Sequence, residues 1–229
     1  MKLEPITVKA VGAEKWYYRK KGDANRFFAV EPADLTLEPG KLTVLTGRSG
    51  SGKTTLLHML AGIVTPSGGT VAVNGEDLYA MDDEALSRFR NRHLGIIPQG
   101  AELLPYLTVT ENILLPAGMW PGADRESAAD QAALLLKRLG IENLSGVCAR
   151  ELSGGERRRV SIARALAGTP GVLFADEPTS DLDDENTGTV LELLREYADK
   201  GAAVLIVSHD SEALDYADLR LKMDGGRLK

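Results

Sequence analysis

Leu42-Thr43-Val44-Leu45-Thr46-Gly47-Arg48-Ser49-Gly50-Ser51-Gly52-Lys53-Thr54-Thr55-Leu56-Leu57 is the stretch on which the reading of the fold turns. Residues 42–46 are near-continuously apolar, as expected of a strand covered on both faces. The run Thr55 to Ala61 reads as a helix. Between them, residues 47–54 match the G-x-x-x-x-G-K-[ST] pattern in the strand, loop and helix setting it requires. Glycines at these positions let backbone N–H groups turn inward around phosphate oxygens, and the new helix directs its positive end at them. Lys53 is placed to reach the β- and γ-phosphates of a nucleotide, and Thr54 to ligand Mg²⁺. The bland alternative is a glycine-rich turn with an incidental lysine, and the flanking strand and helix weigh against it.

Working outward, short β-type runs alternate with helical patterns, which predicts an α/β fold with a mostly parallel sheet. Val172 to Ala175 and Ala202 to Val207 are further apolar runs of the buried-strand type. Leu35-Thr36-Leu37 before Pro39-Gly40, and Thr70 to Val73 before Asn74-Gly75, read as antiparallel strands with tight turns, hence a flanking antiparallel β-layer. Between Asp124 and Leu139, apolar residues recur at helical spacing, with Asp124 as N-cap and Gly140 as the stop. A second helix is predicted over about Gly154 to Ala167. With no clear strand between them, these two helices predict an inserted α-helical lobe, about 98–167, on a single domain spanning 1–229 whose core comprises about 1–97 and 168–229.

Val172-Leu173-Phe174-Ala175-Asp176-Glu177 ends an apolar strand in two acids. Such an arrangement can put one carboxylate near Mg²⁺ and the other near an attacking water, so Asp176 is assigned to the metal and Glu177 to the general base. Two acids at a strand end are often no more than solvated loop residues; the phosphate loop upstream is what raises them above that.

Leu152-Ser153-Gly154-Gly155-Glu156, followed by residues 157–166, resembles the signature motif and following helix of ABC ATPases. Ser153 and Glu156 also make a Ser-x-x-Glu capping box, which alone would only start a helix. The resemblance covers nearly the whole chain and implies a P-loop NTPase core. It carries over a nucleotide-binding set of Gly47, Ser49, Gly50, Ser51, Gly52, Lys53, Thr54 and Thr55. Gln99 looks like the family's glutamine that senses Mg²⁺ and the γ-phosphate, although Pro98 replaces a more usual aromatic residue. His209, in Val207-Ser208-His209-Asp210, resembles the γ-phosphate-contacting histidine; taken alone it would read as a structural histidine. Asp183 matches the acid of the loop linking two ATP sites, with Asp181 in place of the usual small residue. Lys15-Trp16-Tyr17 resembles the family's adenine-stacking pattern, which favours Tyr17 over Tyr18.

Among ABC ATPases the likeness is to small bacterial cassettes of the lipoprotein-release, macrolide-efflux, antimicrobial-peptide-resistance and cell-division types, on the cues Thr108 to Ile113, Phe174 to Thr179 and Asp224 to Leu228. It implies ATP and Mg²⁺ as cofactors and a head-to-tail dimer, with Ser153, Gly154 and Gly155 of one chain covering the ATP held by the other. It also implies a separate membrane permease, with Leu103 to Leu107 as a candidate docking surface or, alternatively, part of the lobe's packing. A cassette that drives a membrane partner without moving cargo is the alternative reading.

Composition sets outer bounds. A 229-residue, 24.6 kDa chain has the length of one α/β domain with a full core. Its formal net charge of -6 speaks against a nucleic-acid partner. No apolar run is long enough for a signal peptide core or a bilayer span, so the chain is expected in the cytoplasm; the resemblance implies attachment to the inner face of the membrane through the permease. The single cysteine, Cys148, reads as a small filler residue.

Overall fold

The computed structural model describes residues 3–18, 26–120 and 124–229. Its centre is a six-stranded sheet formed by β3 (Leu42–Gly47), β6 (Leu94–Ile97), β7 (Val172–Asp176), β8 (Ala203–Val207), β9 (Leu219–Asp224) and β10 (Arg227–Leu228). The order is β10-β9-β3-β8-β7-β6, parallel throughout except for the β9–β10 hairpin. Alternate residues of one strand serve two different cores: Leu173 and Ala175 face one, Val172 and Phe174 the other. Burial on both faces is why these strands read as unbroken apolar runs rather than as alternation.

The first core packs the sheet against α3 (Val109–Gly118), α4 (Arg125–Arg138), α5 (Gly154–Ala167) and α6 (Asp184–Asp199). Asp124 caps α4 by accepting from Ser127 N at 2.9 Å, and Gly140 follows in the left-handed region at φ 65, as the sequence predicts. The second core packs the other face against α1 (Lys53–Leu60) and an antiparallel sheet. That sheet is ordered β2-β1-β4-β5, from β1 (Val8–Tyr18), β2 (Arg26–Leu37), β4 (Gly68–Val73) and β5 (Glu76–Asp77). Asn74 and Gly75, at φ 50 and 90, close the β4–β5 hairpin. Leu35 to Leu37 pair antiparallel with β1 and end in the Pro39-Gly40 turn, as the sequence reads; the turn carries the chain into the other sheet, with Gly40 N donating to Ala202 O at 3.0 Å. A further helix, α2 (Asp83–His93), precedes β6.

Candidate functional site

The site forms where β3, β6, β7 and β8 end. The phosphate loop leaves β3 and enters α1 at Gly52, whose φ is 106. That conformation suits glycine, and a Cβ at this position would collide with the Ala29 carbonyl oxygen of β2, so the loop depends on glycine here twice over. Lys53 is 8% exposed, and its ammonium donates to Gly47 O at 2.8 Å and Arg48 O at 3.1 Å, which curls the loop around the cation. Thr54 Oγ1 donates to Asp176 Oδ2 at 2.6 Å, so the two oxygens predicted to serve one divalent cation already touch between the start of α1 and the end of β7.

Glu177 sits directly after β7 with φ 49, a left-handed conformation uncommon for a residue with a side chain. Neighbouring bonds hold it there: its N–H donates to Val207 O at 2.8 Å, and its own carbonyl accepts from Ser180 Oγ at 3.0 Å. The carboxylate is thereby turned toward β8, where Glu177 Oε2 lies 2.8 Å from His209 Nδ1 and accepts from His209 N at 3.3 Å. The hydrogen bond and charge of Glu177 raise the His209 pKa above the ordinary imidazole value. The ring is 78% exposed and the carboxylate 13%, so the histidine is the partner with room to turn.

Gly47, Ser49, Gly50, Lys53, Thr54, Gln99, Asp176, Glu177 and His209 line one cavity of about 480 Å³, together with Ser180, which the sequence reading did not single out. Ser51, Gly52 and Thr55 line a second hollow of about 410 Å³ that shares Gly50, Lys53 and Thr54 with the first. Its far wall is Phe27, Phe28 and Ala29 of β2. Tyr17 lines neither hollow; it lies on β1 opposite Phe27, the ring centroids 6.0 Å apart, with Lys15 Nζ 5.3 Å from the Tyr17 centroid. Phe27 and Phe28 were missed because their placement depends on how β2 pairs with β1, which no local pattern announces.

Ser153, Gly154, Gly155 and Asp183 are predicted site residues that line neither hollow. Ser153 caps α5, accepting from Glu156 N at 3.3 Å, while the Glu156 carboxylate accepts from Ser153 N at 2.7 Å: the capping box read from the sequence. Those bonds from Ser153 lower the Glu156 pKa. Asp183 caps α6 by accepting from Asn186 N at 2.9 Å, and this lowers its pKa in the same way. Both caps are exposed; at the Ser153 end a hydroxyl and glycine amides at a helix start are the chemistry of an anion site, whereas Asp183 brings its own negative charge.

Comparison with known proteins agrees with this arrangement. Residues 30–180 match the family model described as ABC transporter. The chain is 38% identical over 228 residues to the lipoprotein-releasing system ATP-binding protein LolD of Shewanella sp. (strain MR-4), covering 99% of this chain and 97% of that one. It is 36% identical over 214 residues to the ABC transporter ATP-binding protein YtrE of Bacillus subtilis (strain 168), covering 92% and 91%. Among solved structures, the dimeric post-hydrolysis state of the ATP-binding cassette MJ0796 bound to ADP and Pi superposes with a TM-score of 0.88 at 29% identity, over 97% of this chain and 96% of that one. The chain belongs to the ABC transporter family. Within it, this is an ATP-binding subunit that hydrolyses ATP to power transport.

Proposed function

We propose that the cavity under β3, β7 and β8 hydrolyses Mg-ATP by in-line attack of a water that Glu177 activates. The observation that carries this reading is the convergence of Lys53, the Thr54–Asp176 pair and the Glu177–His209 pair on one hollow. Lys53 meets the β- and γ-phosphates, with the amides of Gly47, Ser49, Gly50, Ser51, Gly52 and Thr55 around them. Thr54, Gln99 and Asp176 fit a magnesium site, because that ion keeps several waters and needs only one or two carboxylates beside substrate phosphates, and Asp176 is that carboxylate here. Among the described residues no group of three acidic, histidine or cysteine side chains could hold a metal, which suits an ion carried in with the nucleotide. When bound, Mg²⁺ neutralises charge on the phosphate oxygens.

A carboxylate engaged by both the ring and the amide of His209 is not free to take up a proton. As the exposed His209 ring turns to the γ-phosphate, Glu177 is released to take a proton from the attacking water. Phe27 and Phe28 make the wall on which the base rests, with Tyr17 beside Phe27 as the stacking ring.

The same reading treats residues 1–229 as one cassette, with core 1–97 and 168–229 and lobe 98–167. Ser153, Gly154 and Asp183, exposed, and the half-buried Gly155, all off their own cavity, act on the ATP of a second, head-to-tail copy. Closure of that dimer is the power stroke passed to a membrane permease that holds the subunit at the inner face of the membrane. The docking segment follows Gln99. Buried Asn112 donates to Leu104 O, Leu107 O and Thr108 O at 3.0–3.2 Å and so fixes the loop, leaving Leu104 48% and Tyr106 77% exposed while Leu103 packs inward. No helix among the described residues is long and apolar enough to cross a membrane, and in this scheme the permease supplies the membrane spans. Phosphate release and size-exclusion chromatography with Mg-ATP, and with ATP plus a chelator, test the scheme. Turnover and an ATP-dependent dimer are expected only with magnesium; equal turnover under chelation would refute it.

A further inference from the structure

We propose that Arg158 is a positioning residue of the hydrolysis site, its buried guanidinium tying the glutamine loop and the Glu177–Asp181 loop to helix α5, which Ser153 caps. The proposal rests on the assignment of Glu177 as base.

Arg158 is 1% exposed and is among the largest fully buried side chains of the described residues. Its Nη1 donates to Pro98 O at 2.6 Å; its Nη2 donates to Gln99 O and, at 2.5 Å, to Ser180 Oγ. Ser180 Oγ in turn donates to Glu177 O at 3.0 Å. Two loops far apart in sequence thus meet on one planar fork of a third element. A lysine would be a point charge there, whereas the guanidinium fixes the angle between its acceptors.

The energetics argue for geometry over stability. No carboxylate among the described residues forms an ion pair with Arg158, and its Nε has no partner. Burial pulls its pKa down against the opposing fields of Asp181, Asp176 and Glu177. A neutral side chain of like volume would avoid that desolvation, so what the charge contributes is position. Glu177 is then held from two sides, by Val207 of β8 through its N–H and by α5 through Ser180 and Arg158. A shift of α5, the helix whose capped end faces a partner's nucleotide, therefore re-aims the Glu177 backbone and the Gln99 backbone together.

The test uses the full chain with Mg-ATP and compares Arg158→Met, Arg158→Lys and Ser180→Ala. Each is scored by kcat, KM, nucleotide affinity, thermal melting and hydrogen exchange of residues 97–102 and 177–183. Arg158→Met should lower kcat by about 10²-fold, the cost of slight misplacement of reacting groups, with KM within about twofold. Ser180→Ala should cost about tenfold, and the double variant no more than Arg158→Met alone, because both break one chain of bonds. Arg158→Lys should recover part of the loss, and amide protection should fall in both loops while α1 keeps its own. Wild-type kcat in folded Arg158→Met would overturn the proposal, as would additive losses or a parallel loss of ATP affinity. Should Arg158→Met not fold, wild-type kcat in both Ser180→Ala and Arg158→Lys overturns it instead. Glu177→Gln is run alongside: wild-type turnover there refutes the base assignment, while the exchange data on the two loops judge the Arg158 tie separately.

Discussion

Replacing Glu177 by glutamine separates binding from chemistry more cleanly than any other change in this molecule. The amide keeps the side chain's size and an oxygen that can still accept from His209 N and, at 3.4 Å, from Ser208 Oγ. The backbone at φ 49 stays fixed by Val207 and Ser180, neither of which touches the carboxylate through those bonds. What is lost is the charge and the basic lone pairs. General-base assistance contributes about 10²–10⁴-fold, or roughly 2.7–5.4 kcal/mol of barrier at 1.36 kcal/mol per tenfold, so steady-state phosphate release should fall by that factor. Lys53, Thr54 and Asp176 are untouched, so nucleotide affinity should hold. Loss of a negative charge beside the γ-phosphate should also let an ATP-bound dimer accumulate, visible by size-exclusion chromatography with Mg-ATP. Turnover at the wild-type rate would show that Glu177 is not the base and would refute the reasoning at its central step.

Lys53→Ala should weaken ATP binding by about 10²-fold or more in a nucleotide titration, since it removes a charged donor to phosphate and leaves Gly47 O and Arg48 O without their cation. Ser153→Arg should leave ATP binding by the single chain near normal yet block ATP-dependent dimerisation on size exclusion, because a bulky cation would fill the partner's γ-phosphate site. His209 should titrate above 6.5 in an NMR pH series, and Glu177→Gln should bring it down, since Glu177 is the cause of the rise. Its contribution to stability is then complete below about pH 6.5 and fades as pH climbs through the raised folded value, so melts of wild type and Glu177→Gln should converge at alkaline pH.

How much of this could be read from the residues alone follows from where each signal is stored. The phosphate loop, the acidic strand and the capped starts of α4 and α5 are local, because glycine φ, strand burial and side-chain caps act over a few residues. Helices α2 and α3 escaped for opposite reasons. No residue of α2 is fully buried and its apolar stripe is short, little more than the half-buried Leu86 and Phe89 among charged neighbours, whereas α3 is largely apolar and holds Pro116, which reads as a breaker. The wall of Phe27 and Phe28 depends on the register of β2 against β1, a long-range fact. Arg158 is the sharpest case. Arg157, Arg158 and Arg159 are three equal letters, yet Arg157 bonds to Leu152 O at 2.7 Å beside its own helix start, while Arg158 is buried against Pro98, Gln99 and Ser180. Successive helix residues point about 100° apart, so a change of helical phase by one residue would have handed the role to a neighbour. Which arginine aims at the hydrolysis loops is fixed only when α5 packs on β6, so the signature motif spells its capping serine locally but acquires its link to Glu177 through tertiary structure.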